Sequence, residues 1–522
     1  MALHSRYENK MSTAFDDQKM LNAWRDVEVA VLQAKFEDTK NSDFQDAYNA
    51  LAKIGDVNVA RKEEIEKETK HDLVAAIRAM AEQVDALHPG KNLGRLIHQG
   101  ITSYDTEDTA MSLMLAKSGE VILDGLKSIA NVFAYKAETF KYCPALGYTH
   151  HQVAEPITVG KRFHDARIGL YEQIDELERQ LKDINLCKVK GAVGVHSGSL
   201  SPRFEAKVAS KLGQKVAPVA TQILPIEDLL KLFMPFLEAA CKIENWAQNM
   251  RLLSGAEAEI KEGFGKKQTG SSVMTFKQNP INLENITGAC RKLKAVFNEL
   301  MNCTATWRER DISASFQIRH IVPDMFGTMQ HIISKTAMVL EGLQIFPIQS
   351  FRNMDRYGDM LFSGALKDWL ATNLPQGDDA DNEKIYKMVQ KESIAAKYAV
   401  EFRGERKCLA INKDLYQTVK EKIGEEKLPE FREVLSVSYN LRNVRESYQA
   451  AFPNVSMSEA QIHENMVDYI INSGQLELFK NDDAHSFIQT YEKIAERNIA
   501  DSEFERDGLK RAVAKFNKEL AR

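Results

Sequence analysis

The segment from Gly263 to Pro280 sets three glycines, Gly263, Gly265 and Gly270, beside two adjacent serines, Ser271 and Ser272, and follows them with Lys277 and Asn279. Glycine frees the backbone, while hydroxyls, an ammonium and an amide supply the donors and acceptors that hold a small anion. A glycine-serine stretch can also be a plain surface linker. Met274, Phe276 and Pro280 argue for an ordered loop instead, because a linker has no use for them. A phosphate-cradling P-loop is excluded, since no lysine directly follows the last glycine of a GxxxxGK[ST] pattern.

The elements around this loop read as helices. The preceding helix is expected to end near Glu262 and the next to start near Leu283. Met111, Leu115, Ile122, Leu126, Ile129 and Phe133 recur at helical spacing without an intervening proline. Leu230, Phe233, Leu237, Ala240, Ile243, Ala247 and Met250 step by threes and fours over roughly five to six turns, with Pro235 as a kink. Similar runs cover about 162–187, 284–305 and 323–345. The fold class expected is all-α: an N-terminal helical domain (1–105), a central long-helix bundle carrying the loop (106–350), a C-terminal helical domain (351–452) and a helical tail (453–522). Loops are expected at Leu87-His88-Pro89-Gly90 and at 377–382. Ser456 and Glu459 fit a capping box ahead of Ile462, Met466 and Ile470, and the tail's charge suggests a solvated face.

Composition narrows the function classes. The chain has 522 residues, 44% hydrophobic and 27% charged, which is ordinary for a folded protein and long enough for about three or four units. Its 69 basic and 74 acidic residues are interspersed, giving a net charge of −5, so nucleic acid is not an expected partner. Apolar runs are broken well short of the roughly 18 residues a membrane span needs, and the N-terminus has no apolar leader core. A cytoplasmic protein with no membrane partner is expected. The six cysteines lack CxxC spacing and the twelve histidines lack an HExxH pattern. His150 and His151, being adjacent, cannot share one helix face, and neither a metal nor a cofactor is expected.

Gly270-Ser271-Ser272-Val273-Met274-Thr275-Phe276-Lys277-Gln278-Asn279-Pro280 matches the pattern GSSxMPxKxNP except for Thr275. With this loop the chain resembles the fumarase/aspartase superfamily, and within it the adenylosuccinate lyase branch. The resemblance runs from Ser5-Arg6-Tyr7 to about Phe452. Lys70-His71-Asp72 is similar to the TxHD segment, and Thr102-Ser103-Tyr104-Asp105 with Asp108-Thr109-Ala110 to TSSDVxDTA. Gly147-Tyr148-Thr149-His150, Gln152 and Ala154-Glu155-Pro156 resemble GRTHGQPAEP, and Thr221-Gln222 the STQ segment. Arg308-Glu309-Arg310-Asp311-Ile312-Ser313, with Ser315, Arg319 and Pro323-Asp324, resembles the ERDISxS segment of the branch. Gly191-Ala192-Val193-Gly194 matches the family's GAVG segment and is expected to mark tight helix packing.

The resemblance implies removal of a proton beside a carboxylate, expulsion of an amine and release of fumarate. Such chemistry needs a base, a cationic cradle for the charge that builds on the carboxylate, and an acid for the leaving nitrogen. It implies Ser271 as base, activated by backbone N–H groups and Lys277 when the loop closes in a water-poor pocket, and His150 as acid. Lys277, Asn279 and Ser272 would hold the succinyl carboxylates, with Lys70, His71 and Asp72 facing the substrate. Arg6, Tyr7, Arg310, Ser315 and Arg319 would hold a nucleotide monophosphate, the guanidinium forks suiting its oxygens. Thr102, Ser103, Gln222 and Asn285 would complete the ribose, base and carboxylate contacts. The expected partner is thus a small molecule, a nucleotide monophosphate bearing a succinyl group. The resemblance also implies a homotetramer with a shared helical core and shared active sites.

The chain departs from the family pattern at Thr275-Phe276, Gln278 and Val153, and Pro225-Ile226-Glu227-Asp228 lacks an arginine often found there. Loss of the loop proline loosens the lid. Two other readings remain at this stage: another fumarate-releasing lyase such as an argininosuccinate lyase, and a non-catalytic scaffold.

Overall fold

The computed structural model describes residues 5–265, 267–375, 377, 381–405, 413–451, 457–479, 481–499 and 502–521. Residues 378–380 of the expected loop, the Phe452-Pro453 boundary and Ser456 of the expected capping box fall outside these. The described chain is helical apart from short strands, and the all-α expectation holds. The five long periodic runs are the helices Ser103–Thr139, Lys161–Ile184, Glu227–Leu253, Ile281–Met301 and Ser315–Gly342. Pro235 lies inside the third. The last begins at Ser315, well before the expected 323, and runs through Pro323. Strand patterning was weak in the sequence, yet Pro144–Thr149 and Gln152–Thr158 form an antiparallel hairpin.

The chain divides into two compact units. One comprises Met1–Ile129, Gly169–Asn245 and Asn285–Ala337, the other Ala130–Ile168, Trp246–Glu284 and Met338–Arg522.

In the first unit the N-terminal helices follow ordinary capping rules. Asp16 caps Asp17–Thr39, whose end turns through left-handed Lys40; Ser201 and Pro202 open Pro202–Leu212, which ends at Gly213 with φ 67°. Leu21, Trp24, Val31, Leu51, Met80 and Phe204 share one core. Buried carboxylates tie loops to it. Asp105, in the first turn of Ser103–Thr139, accepts from the backbone N–H groups of Thr102 (2.9 Å), Lys190 (3.1 Å) and Gly191 (3.2 Å) and pairs with buried Lys188 at 2.9 Å. Glu205 accepts from Val189 N–H (3.0 Å) and meets Lys190 and His196, each at 2.8 Å. Gly191 and Gly194 both have φ 80° and lie in irregular chain, not between helices. A Cβ on Gly194 would stand 2.2 Å from the Ala220 carbonyl, so close backbone approach, rather than helix packing, is what requires glycine there.

In the second unit the hairpin turns through His150 and His151, with φ 52° and 59°. Both central residues of this two-residue turn are left-handed, a conformation usually given to Asn-Gly. Glu259 is fully buried and gathers Arg162, the Ser350 hydroxyl (2.9 Å) and the Asn353 amide (3.0 Å), while Arg162 also donates to the Leu146 carbonyl at 3.1 Å. The tail is helical, as expected: Glu459–Asn472, Asn481–Asn498 and Glu503–Leu520. It is more than a solvated appendage, since Met466, Ile470, Phe487, Tyr491 and Phe516 are fully buried. Its first helix is capped by a box of Ser458 and Gln461, with Ser458 in the extended position immediately before the helix.

Replacing Asp105 by Ala leaves the Lys188 ammonium buried without this counter-ion and frees three N–H groups. Urea unfolding is expected to show a loss of about 3–5 kcal/mol.

Candidate active site

The predicted site residues are divided between the two units. In the second unit, Glu262 closes the base of the glycine-serine loop: its carboxylate accepts from Asn282 N–H (3.2 Å), the Asn282 amide (3.0 Å) and Leu283 N–H. It thereby also satisfies donors at the N-terminus of Ile281–Met301. Within the loop, Asn279 donates to the Gly270 carbonyl at 2.9 Å. A Cβ on Gly270 would lie 2.1 Å from the Lys277 carbonyl, so the turn tolerates only glycine. Ser271 Oγ accepts from the N–H groups of Val273 (3.3 Å) and Met274 (3.0 Å). Such a local serine turn is common, and here its two donors suit a negative charge on that oxygen.

The side chains of Ser272 and Lys277 are exposed. Met274 and Phe276, expected to order the loop by packing, are exposed as well, Phe276 at 84%. Hydrogen bonds, not apolar contacts, hold this loop. His150 stands exposed on the hairpin turn, held by the strand pairing Thr149 to Gln152.

In the first unit, Lys70-His71-Asp72 joins two helices. Lys70 is left-handed, at φ 51°, and His71 caps the Asp72–Leu87 helix, with Nδ1 3.5 Å from Val74 N. Asp72 pairs with Arg319, whose guanidinium also lies 3.6 Å from Glu107. Arg310 stacks 3.7 Å over the Tyr104 ring and donates to the Gln222 side chain at 3.0 Å, and the Tyr104 hydroxyl lies 3.4 Å from Ser315 Oγ. Tyr104, Glu107, Asp108, Arg310, Ser315 and Arg319 line one recess of about 140 Å³. Thr102 and Ser103 open the long helix that carries Tyr104, Glu107 and Asp108. Tyr7 and Asn285 meet at a different point, both against His331: Asn285 Oδ1 is 2.6 Å from its Nε2, and the Tyr7 ring is edge-on at 5.2 Å. Arg6 lies in the short 3₁₀ turn Ser5–Tyr7.

Tyr104, Glu107 and Asp108 were not singled out as ligands by sequence; only the recess shows that they share space with the arginines. Burial raises the Glu107 carboxyl to about 8, reinforced by the Asp72 charge. Burial likewise raises Asp108 to about 7, against the opposing hydrogen bond from Leu224 N–H (2.7 Å). Burial also disfavours charge on Asp72, but the Arg319 charge and hydrogen bond outweigh it and hold that carboxyl below its ordinary range. At neutral pH, therefore, Glu107 is largely protonated, which lessens the negative charge beside Arg310 and Arg319 in a recess that Asp108, Asp228 and Asp311 also line.

The described residues contain no group of three or more histidine, cysteine or acidic side chains arranged to hold a metal ion, and no helix long and apolar enough to cross a membrane.

A family model described as Lyase matches residues 4–294, more than half of the chain's 522. The chain belongs to this lyase family. It is similar to the adenylosuccinate lyase of Staphylococcus saprophyticus, with 32% identity over 363 residues, 69% of this chain and 81% of the relative. The adenylosuccinate lyase of Bacillus subtilis is 31% identical over 355 residues, 68% and 80% of the two chains. The lyase shares its fold with a fumarate lyase from Mesorhizobium sp. BNC1, at TM-score 0.73 and 18% identity, covering 87% of this chain and 100% of that one. A 3-carboxy-cis,cis-muconate lactonizing enzyme from Pseudomonas putida gives 0.70 and 19%, covering 84% and 95%.

Glu107 provides a pH test. Its folded carboxyl retains a proton that the unfolded chain releases above about pH 4–5, so this group makes stability fall as pH rises from there to about 8. Unfolding of Glu107→Gln measured from pH 5 to 9 is expected to show a shallower decline than the wild type, with Asp108 contributing the part that remains.

Proposed function

We propose that this lyase releases fumarate from adenylosuccinate, giving AMP, and from the succinyl-carboxamide ribotide of purine synthesis, giving the carboxamide ribotide. The observation that carries this reading is the recess holding Arg310, Arg319 and Ser315 in a chain that also carries the Ser271, Lys277 and Asn279 loop. Two guanidinium forks suit a phosphate dianion. The similarity to named adenylosuccinate lyases supports the same substrate.

In this mechanism the loop closes over the succinyl group, and Ser271, its hydroxyl proton lost to solvent and the alkoxide held by two backbone N–H groups, takes the proton beside the carboxylate and becomes a neutral hydroxyl. The electron pair first resides on that carboxylate, where Lys277 offsets the added charge and Asn279 and Ser272 hold the oxygens. The C–N bond then breaks, and His150 protonates the departing nitrogen. Lys70, His71 and Asp72 face the substrate, and Arg319, now paired with Asp72, turns one face of its fork to phosphate. Arg6, Tyr7, Thr102, Ser103, Gln222 and Asn285 complete the nucleotide contacts. The working assembly is a cytoplasmic homotetramer with shared active sites.

Purified protein is expected to release fumarate and AMP from adenylosuccinate. Ser271→Ala or His150→Ala should each lower kcat by about 10²–10⁴-fold, the usual range for losing a general base or acid. Fumarate from argininosuccinate with none from adenylosuccinate would overturn the assignment. Gly270→Ala is expected to abolish turnover while leaving AMP affinity, measured by calorimetry, unchanged.

A further inference from the structure

The tail beyond residue 452 lies outside the resemblance that names the loop and hairpin, yet its polar side chains reach the two chain segments from which both proposed catalytic groups are carried. We infer that the three tail helices are a positioning element for catalysis, acting on the His150 hairpin through Lys141 and on the Ser271 loop through the backbone of Ile345. This inference rests on the reading of Ser271 as base and His150 as acid.

The first arm is the turn Phe140–Cys143, which leads directly into the hairpin. Lys141 is buried, and its ammonium lies 3.2 Å from tail residue Glu459 and 3.4 Å from Glu138. Glu459 is held in turn by Arg445 at 3.7 Å, itself paired with tail residue Glu505 at 3.0 Å. On either side of Lys141, Phe140 meets the Tyr469 ring edge-on at 5.0 Å and Tyr142 lies against His463 at 5.8 Å. The same turn closes the hairpin from below, because the Cys143 carbonyl accepts from Val159 N–H at 2.8 Å and the Phe140 carbonyl from Gly160 N–H at 2.9 Å.

The second arm is the strand Gln344–Ile345, which pairs antiparallel with Ile260–Lys261. Lys261 immediately precedes Glu262, the residue that clamps the base of the loop. The tail occupies the other edge of Ile345. Its N–H donates to the Tyr469 hydroxyl at 2.7 Å, and its carbonyl accepts from the Gln475 amide at 2.7 Å. Gln475 is buried, so neither contact is a solvent-exposed accident. Tyr469 is thus common to both arms: its ring touches Phe140 and its hydroxyl holds Ile345.

A hydrophobic core would secure the tail without these contacts, since Met466, Ile470, Phe487 and Phe516 are buried. The polar bonds add registry. Misplacing a reacting group by about 1 Å can cost on the order of 10²-fold in rate. Changing these bonds should therefore reach kcat before it reaches stability or nucleotide affinity.

The test uses the full-length chain. Tyr469→Phe keeps the ring against Phe140 and removes only the acceptor for Ile345 N–H; Glu459→Gln keeps shape and removes the charge facing Lys141. Each is expected to lower kcat for adenylosuccinate about tenfold, with AMP affinity by calorimetry unchanged within about twofold. Leu509→Ala, in the buried face of the last helix, should lower the melting temperature without lowering kcat at 25 °C. Amide hydrogen exchange should show faster exchange at 144–150 in Glu459→Gln and at 260–262 and 282–283 in Tyr469→Phe. Wild-type kcat in both variants, or loss of AMP affinity in parallel with kcat, would overturn the inference. If the wild type does not cleave adenylosuccinate, the functional reading fails on its own account. Hydrogen exchange then decides the tail's role, and unchanged protection in both variants overturns it.

Discussion

Removing a carboxylate from water is costly unless its lone pairs are filled, and Asp105 meets that cost at the first turn of a 37-residue helix. It takes a backbone N–H from its own helix start, two more from the segment at 190–191, and the ammonium of Lys188. Lys188 donates in turn to the Gln222 carbonyl, and the Gln222 side chain accepts from Arg310. One buried charge thus sets the helix start that carries Thr102, Ser103 and Tyr104, and through Lys188 it sets the orientation of the stacked Arg310. The recess that Tyr104 and Arg310 line is built on that chain of contacts.

The second unit applies the same device. Glu259 and Glu262 stand three residues apart, one buried among Arg162, Ser350 and Asn353, the other closing the loop onto Asn282 and Leu283. Between them, Ile260 and Lys261 pair with a strand whose far edge is held by tail residues. The loop itself contributes little packing, with Val273 and Phe276 both 84% exposed. A segment held by a rigid base and a few hydrogen bonds moves more readily than one held by apolar contacts, as the proposed loop closure requires.

Acidic side chains stand beside the arginines in the recess proposed to take an anion, and burial changes their charge. Glu107 and Asp108 lose solvation there, and their protons are retained to higher pH. Their negative charge beside the arginines is lessened near neutral pH, and Asp72 pairs with Arg319.

Local pattern was enough to determine the helical class, the five long helices and the loop with its serines, lysine and asparagine, because helical periodicity and glycine-rich punctuation are short-range signals. The family resemblance added roles for named residues, which local pattern alone does not supply. The hairpin escaped because its turn is His150-His151 in place of the Asn-Gly that announces such a turn. Gly191 and Gly194 were legible as special but not as sites of backbone approach, since the neighbour at Ala220 is distant in sequence. Tyr104 and Glu107 became ligand candidates only when a distant stretch brought Arg310, in irregular chain, and Arg319, on a helix, beside them. The tail read as a charged helical extension. Its buried grip on Lys141 and Ile345 joins residues more than 120 positions apart, and contacts at that separation leave no periodic trace; tertiary packing alone decided them.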